Sequence, residues 1–463
     1  MQDSGSTPDP SQLAPAGAVP PVAGLPPLIR PPLPPSQGRS RVRVVVISLV
    51  CASGVIMLLI AGLLVWAFTA RARPARAVSG STPSRPQPTI EEAAPAIPAA
   101  VRVAAAEPGV THFNDRIASE PWSIHVVKVD RSRKDLGFIA PLAMGTVLGV
   151  SRISEQAEAI PRAQGRAIAG VNGDFYEREN RTYAGDPRGL QIVNGELVSG
   201  TSTVSVWFDA TGQPQVGDVA GNFNVTWPDG RQTRFGLNQQ RLSDMAVLYT
   251  PTYGASIRVN GGRDLILEKD GDSPWLPLQA GQTYRAKVRA VQPTADTPLP
   301  ADAMVLSFGP GLIADLPEVA PGAVLKISTA TLPGLKGVKT AIAGGPALIQ
   351  NGKAFSAKAP SAGVGGGYSE RSKYERHPRS AVGWSPTHIY LVTVDGRQPG
   401  LSMGMTLAEL AAYLVKLGCT DGMNFDGGAS ASMWMSGQIV NDPCQGERPV
   451  ANSLFVVRKP EGR

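Results

Sequence analysis

The sequence predicts a β-rich mixed-sheet core with a few flanking helices, preceded by a biased tail and one membrane span. Three observations carry that expectation. The chain holds 42 Pro and 51 Gly in 463 residues with few aromatics, a composition of many short strands and turns. Short apolar runs recur, each ending in a polar glycine loop and followed by a hairpin signal. Helical periodicity is confined to two stretches.

Taken in order, residues 1–43 are dominated by Pro, Ala, Gly and Ser, as in PPVAGLPPLIRPPLPPSQ. Such a segment buries too little apolar surface to order itself and favours extended, polyproline-like conformations. Val44–Ala70 then runs 27 residues without a charge. At about 1.5 Å per residue it exceeds a hydrocarbon core of about 30 Å, so it reads as a transmembrane helix. It is too long, and too far from Met1, for a cleavable signal peptide.

Arg39, Arg41 and Arg43 precede the span and Arg71, Arg73 and Arg76 follow it, so the positive-inside rule is nearly balanced. An N-terminus in the cytoplasm is expected, because the opposite orientation would export a short tail and leave the large domain with no need of an anchor. The expectation is therefore a single-pass membrane protein with its globular part extracytoplasmic. Residues 71–103 read as a flexible spacer. The formal charge of +7 is spread over scattered arginines, which leaves no footprint for nucleic acid.

Residues 104–463 read as the folded part. SRISEQAEAIPRAQG is helical, with Ile153, Ala157 and Ile160 on one face and Pro161 as its stop. Arg166–Val171 is a short buried strand that delivers the chain into NGDFY, and LQIVNGELV turns back at Asn194-Gly195. Residues 203–333 alternate as further sheet. TAIAGGPALIQNGKAF gives a strand, a Gly344-Gly345-Pro346 break and a hairpin at Asn351-Gly352, while HIYLVTVDGR is a strand stopped at Asp395. TLAELAAYLVKLG is a helix with a Thr406/Glu409 capping box and Gly418 as its stop. It feeds TDGMNFDGGASASMW, after which MWMSGQIVN turns at Ser436-Gly437. Strand, polar glycine loop and hairpin recur after Val171, Ile342 and Phe425, so these strand ends are expected to converge on one rim.

Asp174 and Asp426 each sit beside glycine at such an end, and paired carboxylates in a concave site supply acid and base chemistry when their environments push their pKa values apart. ERHPRSAVGW adds Arg376, His377 and Arg379; guanidinium groups hold phosphate oxygens, and His377 adds a donor or a proton. Each piece alone also reads as an ordinary polar turn or a solvated face. GVGGG, Gly363–Gly367, lacks the lysine and strand-to-helix setting of a phosphate loop. Cys419 and Cys444 bracket the DGGAS motif, and in an oxidising compartment they suit a disulfide or two unpaired thiols equally.

Taken as an ordered set, AGVNGDFY, LYTPTYGAS, AIAGGPALIQNGK, RHPRSAVGW, VDGR, MNFDGGASASMW and RPVANSLFV resemble the phosphodiester glycosidase family over about 168–457. The resemblance implies an α+β, β-rich fold and hydrolysis of a sugar-1-phosphodiester in a phosphorylated glycan. It places Asp174, Asp426 and His377 on the active-site rim, where the chemistry makes the two aspartates the candidate catalytic base or nucleophile and His377, with Arg379, a neutraliser of the departing phosphate. It implies a substrate-binding rim of Asn172, Gly173, Gly345, Arg379, Asp395, Arg397, Asn424, Gly427 and Gly428.

Where many relatives read DGGGS this chain has Ala429, which disfavours a backbone with φ above zero there. The spacing of Asp174 and Asp426 would set the outcome, about 5 Å for retention and about 6.5 to 9.5 Å for inversion. The clustered aspartates and Asn424 also suit a hard divalent cation. Two competing readings stand beside the hydrolase: metal-dependent cleavage at phosphorus, and a non-catalytic glycan-binding envelope protein.

Overall fold

The computed structural model describes residues 101–102, 107–200, 202–354 and 370–460. The tail, the span Val44–Ala70, most of the spacer and the GVGGG stretch lie outside the described residues. Among the described residues no helix is long and apolar enough to cross a membrane.

Among these residues the strands form three sheets. One of eight strands has Trp122–Asp130, His388–Val394, Arg379–Trp384 and Asp421–Asn424 at its centre, all antiparallel. A five-stranded antiparallel sheet is centred on Arg166–Asn172, between Met433–Met435 and Ser453–Arg458. A twelve-stranded sheet, built mostly from the 191–343 region, is antiparallel except for the parallel pair Gly236–Leu237 and Ala246–Tyr249. The α+β, β-rich expectation therefore holds for these residues.

The eight- and five-stranded sheets face each other, and alternation along each strand fills the layers on both sides. In His388–Val394, Ile389 and Leu391 enter the core shared with Ile168, Val171, Leu454 and Val456. Tyr390, Val392 and Val394 point the other way, against helix Leu407–Lys416 through Leu407, Leu410 and Leu414. With both faces buried, the strand reads as a continuous apolar run rather than an alternating one. Helix Ile153–Ala159 covers the outer face of the five-stranded sheet, its Ile153 and Ala157 meeting Phe455 and Val457. The result is four layers: helix, sheet, sheet, helix.

The local signals act as their chemistry requires. Thr406 caps its helix by accepting from the Glu409 N–H while Glu409 accepts from the Thr406 N–H. The hairpins turn at Asn194-Gly195, Asn351-Gly352 and Ser436-Gly437, each pair with both φ angles positive, the mirror-image turn that fits strand twist. Cys419 and Cys444 are both free, so the disulfide alternative does not hold. Cys419 is buried against the long helix, and burial pushes its thiol up to about 12.

Candidate active site

The strand ends expected to converge do so. Strand Arg166–Asn172 stops at Asn172, whose side chain is fully buried and fully used. Its Nδ2 donates to the Asp426 carbonyl (2.7 Å), and its Oδ1 accepts from Ser380 Oγ (2.6 Å) and the Ser432 N–H (3.1 Å). One amide thus ties both facing sheets to the Asp426 loop. The Asp426 N–H in turn donates to the Gly173 carbonyl at 2.9 Å. A Cβ on Gly173 would collide with Asn452 and Ile342, so glycine is required there for close packing. Asn172→Ala, which strands three buried partners, is expected to cost about 2 to 4 kcal/mol in denaturant unfolding and to lower kcat through the displaced loop.

Asp174 is buried and has both carboxylate oxygens occupied: Oδ1 accepts from the Phe175 N–H and Oδ2 from the Gly189 N–H, each at 2.8 Å. Burial pushes this carboxyl up to about 8, the two backbone donors pulling the other way and Asp426 adding a like charge. Asp174 closes the 175–189 loop rather than lining the cleft beside it. Asp186, on the same loop, is pushed up to about 7, again by burial.

Both carboxyls bind their proton more tightly in the folded chain than in the unfolded one. Their stabilising contribution is therefore complete below about 4 and is lost as pH rises through 7 to 8. Thermal melts should fall between pH 5 and 9, and the double variant Asp174→Asn/Asp186→Asn should flatten that slope. Equal slopes would contradict the assignment.

The cleft, of about 460 Å³, opens between the 175–188 loop, the 427–429 turn and the 445–448 loop, with Asp426 on its floor. Arg178, Arg188, Arg379, Arg397 and Arg448 all line it. Two are committed. Arg188 donates to Glu177 Oε2 at 2.8 Å, and Arg379 is buried with Nε on the Met405 carbonyl (2.9 Å) and Nη2 on those of Ser372 (2.7 Å) and Glu375 (3.0 Å). Arg379 therefore fastens the segment before it while lining the cleft. Arg376 turns away to Glu409 and Glu120 and stacks over Trp122 at 5.3 Å.

The other three guanidiniums, those of Arg178, Arg397 and Arg448, carry no ion pair among the described residues. Arg397 sits at φ 59°, and its Nη2 lies 3.3 Å from His377 Nδ1. His377 Nε2 faces Glu375 Oε2 at 3.4 Å. Burial, then the charges of Arg379 and Arg397, hold the imidazole below its usual range. It is neutral at pH 7, accepting from Arg397 through Nδ1. His377 thus lines the cleft as the orienter of an arginine.

Asp426 is raised by burial. The Ser430 hydroxyl, the Gly427 N–H and the charges of Arg178 and Arg448 act against that rise. Ser430 Oγ lies beside the carboxylate without completing a hydrogen bond of ordinary geometry, while the Gly427 N–H donates at 2.8 Å. Gly427 and Gly428 are needed for clearance: a Cβ on Gly427 would stand 2.6 Å from the Pro378 carbonyl, and one on Gly428 3.0 Å from Arg397. Ala429 is accommodated because the positive φ falls on Gly428, at 62°, and Ala429 lies within the tight turn that follows.

The remaining expected residues lie behind the rim. Asp395 is buried against Ser123 Oγ (2.9 Å), Asn441 Nδ2 (3.0 Å) and the Asp442 N–H (3.0 Å), holding the chain that leads to Arg448. Asn424 donates from Nδ2 to the Gly345 carbonyl at 2.9 Å, and Gly345 donates back to the Asn424 carbonyl at 2.7 Å. These three residues position the rim. Asp421, at the far end of its strand, accepts from the Asn351 N–H and Thr420. Among the described residues no three His, Cys, Asp or Glu side chains gather as a metal site. Of the aspartates proposed for a cation, Asp174 has both oxygens on backbone donors and Asp421 lies at the far end of its strand.

The comparisons extend this picture. The chain matches the phosphodiester glycosidase family over residues 253–457. That glycosidase segment holds His377, Arg397, Asp426 and Arg448 but not the loop carrying Asp174, Arg178 and Arg188. Two solved structures share the fold. A hypothetical protein from Synechocystis has a TM-score of 0.62 at 21% identity, over 78% of this chain and 64% of that one. A protein of Burkholderia pseudomallei K96243 has 0.54 at 24%, over 75% and 74%.

The catalytic domain of zebrafish N-acetylglucosamine-1-phosphodiester alpha-N-acetylglucosaminidase aligns with a TM-score of 0.39 at 14% identity, over 75% and 82%. That distance is too great to carry an argument. The SPbeta prophage-derived protein YomE of Bacillus subtilis (strain 168) is 32% identical over 83 residues, 18% of this chain and 13% of YomE's length.

Proposed function

We propose that the chain is a hydrolase that cleaves the glycosidic bond of a sugar-1-phosphodiester in a phosphorylated glycan. The observation that carries this reading is the cleft itself: three arginines without carboxylate partners surround one raised carboxyl on a rigid floor. Unpaired guanidiniums in a confined site call for an anion, and a phosphate accepts two bonds from each.

The chemistry follows from the leaving group. A phosphate monoester leaves well without prior protonation, so the site needs positive charge on the departing oxygens more than it needs an acid. Arg178, Arg397 and Arg448 supply that charge from fixed positions. Asp426, ionised, then acts at the anomeric carbon, either directly or through a water whose proton it takes. Neutral His377 keeps Arg397 aimed. Glu177, held by Arg188 and the N–H groups of Glu179 and Asn180, shapes the loop and takes no part in the reaction.

Anchoring through Val44–Ala70, with the N-terminus cytoplasmic and the glycosidase domain in the envelope, belongs to the same proposal. The support is the uncharged length of that run. An envelope glycan carrying phosphodiesters would then lie within reach.

The test is incubation of the full chain with N-acetylglucosamine-α-1-phospho-methyl ester and a panel of other sugar-1-phosphodiesters, followed by proton and phosphorus NMR. Free sugar with an alkyl phosphate is expected, and a parallel run with EDTA shows whether a cation takes part. Sugar phosphate with free alcohol would favour cleavage at phosphorus. Binding without turnover across the panel would favour a glycan-binding protein.

A further inference from the structure

A second concavity, of about 370 Å³, lies at the opposite end of the five-stranded sheet. Its lining includes Gln164, just before strand Arg166–Asn172, and Lys459, just after strand Ser453–Arg458. The first strand runs six residue steps from there to the catalytic rim, about 20 Å at 3.3 Å per step. The two clefts are thus separate sites on one sheet.

The floor is apolar, with Phe138 half-buried and stacked on buried Phe208 at 4.6 Å and 9° between planes. The rim is basic, and its charges are unevenly committed. Arg131 donates to the Ser385 carbonyl at 2.5 Å and to Gln213, and Arg133 pairs with Asp135.

Lys134 and Lys339 have no carboxylate partner among the described residues, and Lys459 donates only to the Lys134 carbonyl, at 3.0 Å. Each of the two acids of the rim is bonded to its own turn through Oδ1. Asp130 accepts from the Ser132 N–H, and Asp209 accepts from Thr211 and the Gln213 N–H. An aromatic pair in a cleft whose lining includes three lysines without carboxylate partners is complementary to a planar apolar body bearing an anion.

We propose that this cleft is a second binding site, for a small aromatic anion, with the ring on the Phe138–Phe208 stack and its phosphate, sulfate or carboxylate group between Lys134, Lys339 and Lys459. The inference is independent of the reaction assigned to the first cleft.

The experiment is photolabelling of membranes carrying the full chain with 4-azidobenzylphosphonate, followed by mapping of the labelled peptides. Label is expected on the Leu136–Ile139 and Asp209–Gln213 peptides. Unlabelled benzylphosphonate should compete with it, and the surface double variant Lys134→Ala/Lys339→Ala should weaken it roughly tenfold. Three results would overturn the proposal: label confined to the first cleft, equal labelling of the variant, or competition by phosphatidylglycerol vesicles but not by benzylphosphonate. The last would make the surface a lipid contact.

Discussion

Asp426→Asn is expected to abolish turnover, with kcat reduced roughly 10³-fold or more while the fold is retained. The carboxylate lies on the floor of the cleft with its Oδ1 bonded to the Gly427 N–H, while Glu177 and the exposed Glu179 line it from the 175–188 loop. Asparagine keeps the shape and removes both the negative charge and the proton-accepting capacity. Because burial raises Asp426, its ionised form is costly in the folded chain, and neutral asparagine relieves that cost.

Thermal melting should therefore be unchanged or slightly higher at pH 8, which separates a lost chemical group from a damaged fold. The wild-type rate should fall as pH drops through the Asp426 titration, since the protonated carboxyl neither attacks nor accepts a proton. A variant with more than a tenth of wild-type kcat would show that another group does the chemistry.

The double variant Arg178→Ala/Arg448→Ala comes next in size. Charge-assisted hydrogen bonds contribute about 1.5 to 3 kcal/mol each, so losing two should lower kcat/KM by roughly 10² to 10⁴. Most of the loss should appear in kcat if the arginines bind the departing phosphate more tightly than the intact diester. Stability should change little, since neither guanidinium holds a carboxylate in the fold. Lysine replacements should recover part of the rate, because a point charge remains where the planar fork is lost. Steady-state kinetics at two salt concentrations checks this, and unchanged kcat/KM would remove the anion-site reading.

Much of this arrangement is legible in the sequence where a local rule governs it. The Asn-Gly and Ser-Gly turns, the capping box at Thr406 and the apolar runs before NGDFY and DGGAS specify elements that the structure contains. Convergence of the strand ends was also legible, because strands that share a core bring their ends to common edges. What could not be read is which way a polar side chain faces and what it spends its donors on.

Asn172 and Asp395 stand at strand ends beside the rim, yet their partners, Ser380 and Ser432 for one and Asn441 and Asp442 for the other, lie elsewhere in the chain. Nothing in the local sequence shows that Arg379 also bonds three backbone carbonyls. Arg178, Arg188 and Arg448 were missed because they stand on loops with no periodicity or spacing. A signal existed for Arg448, which opens the RPVANSLFV stretch, and for Arg178, two residues beyond NGDFY. Only the fold shows that those loops face Asp426.

The proposed reaction directs water to the anomeric carbon and lets a phosphate monoester leave. Hydrolysis of a sugar-1-phosphodiester in ¹⁸O-water, with mass analysis of both products, tests it most directly. The account predicts ¹⁸O in the hydroxyl of the released sugar and none in the phosphate monoester. Label in the phosphate would place bond cleavage at phosphorus and contradict it.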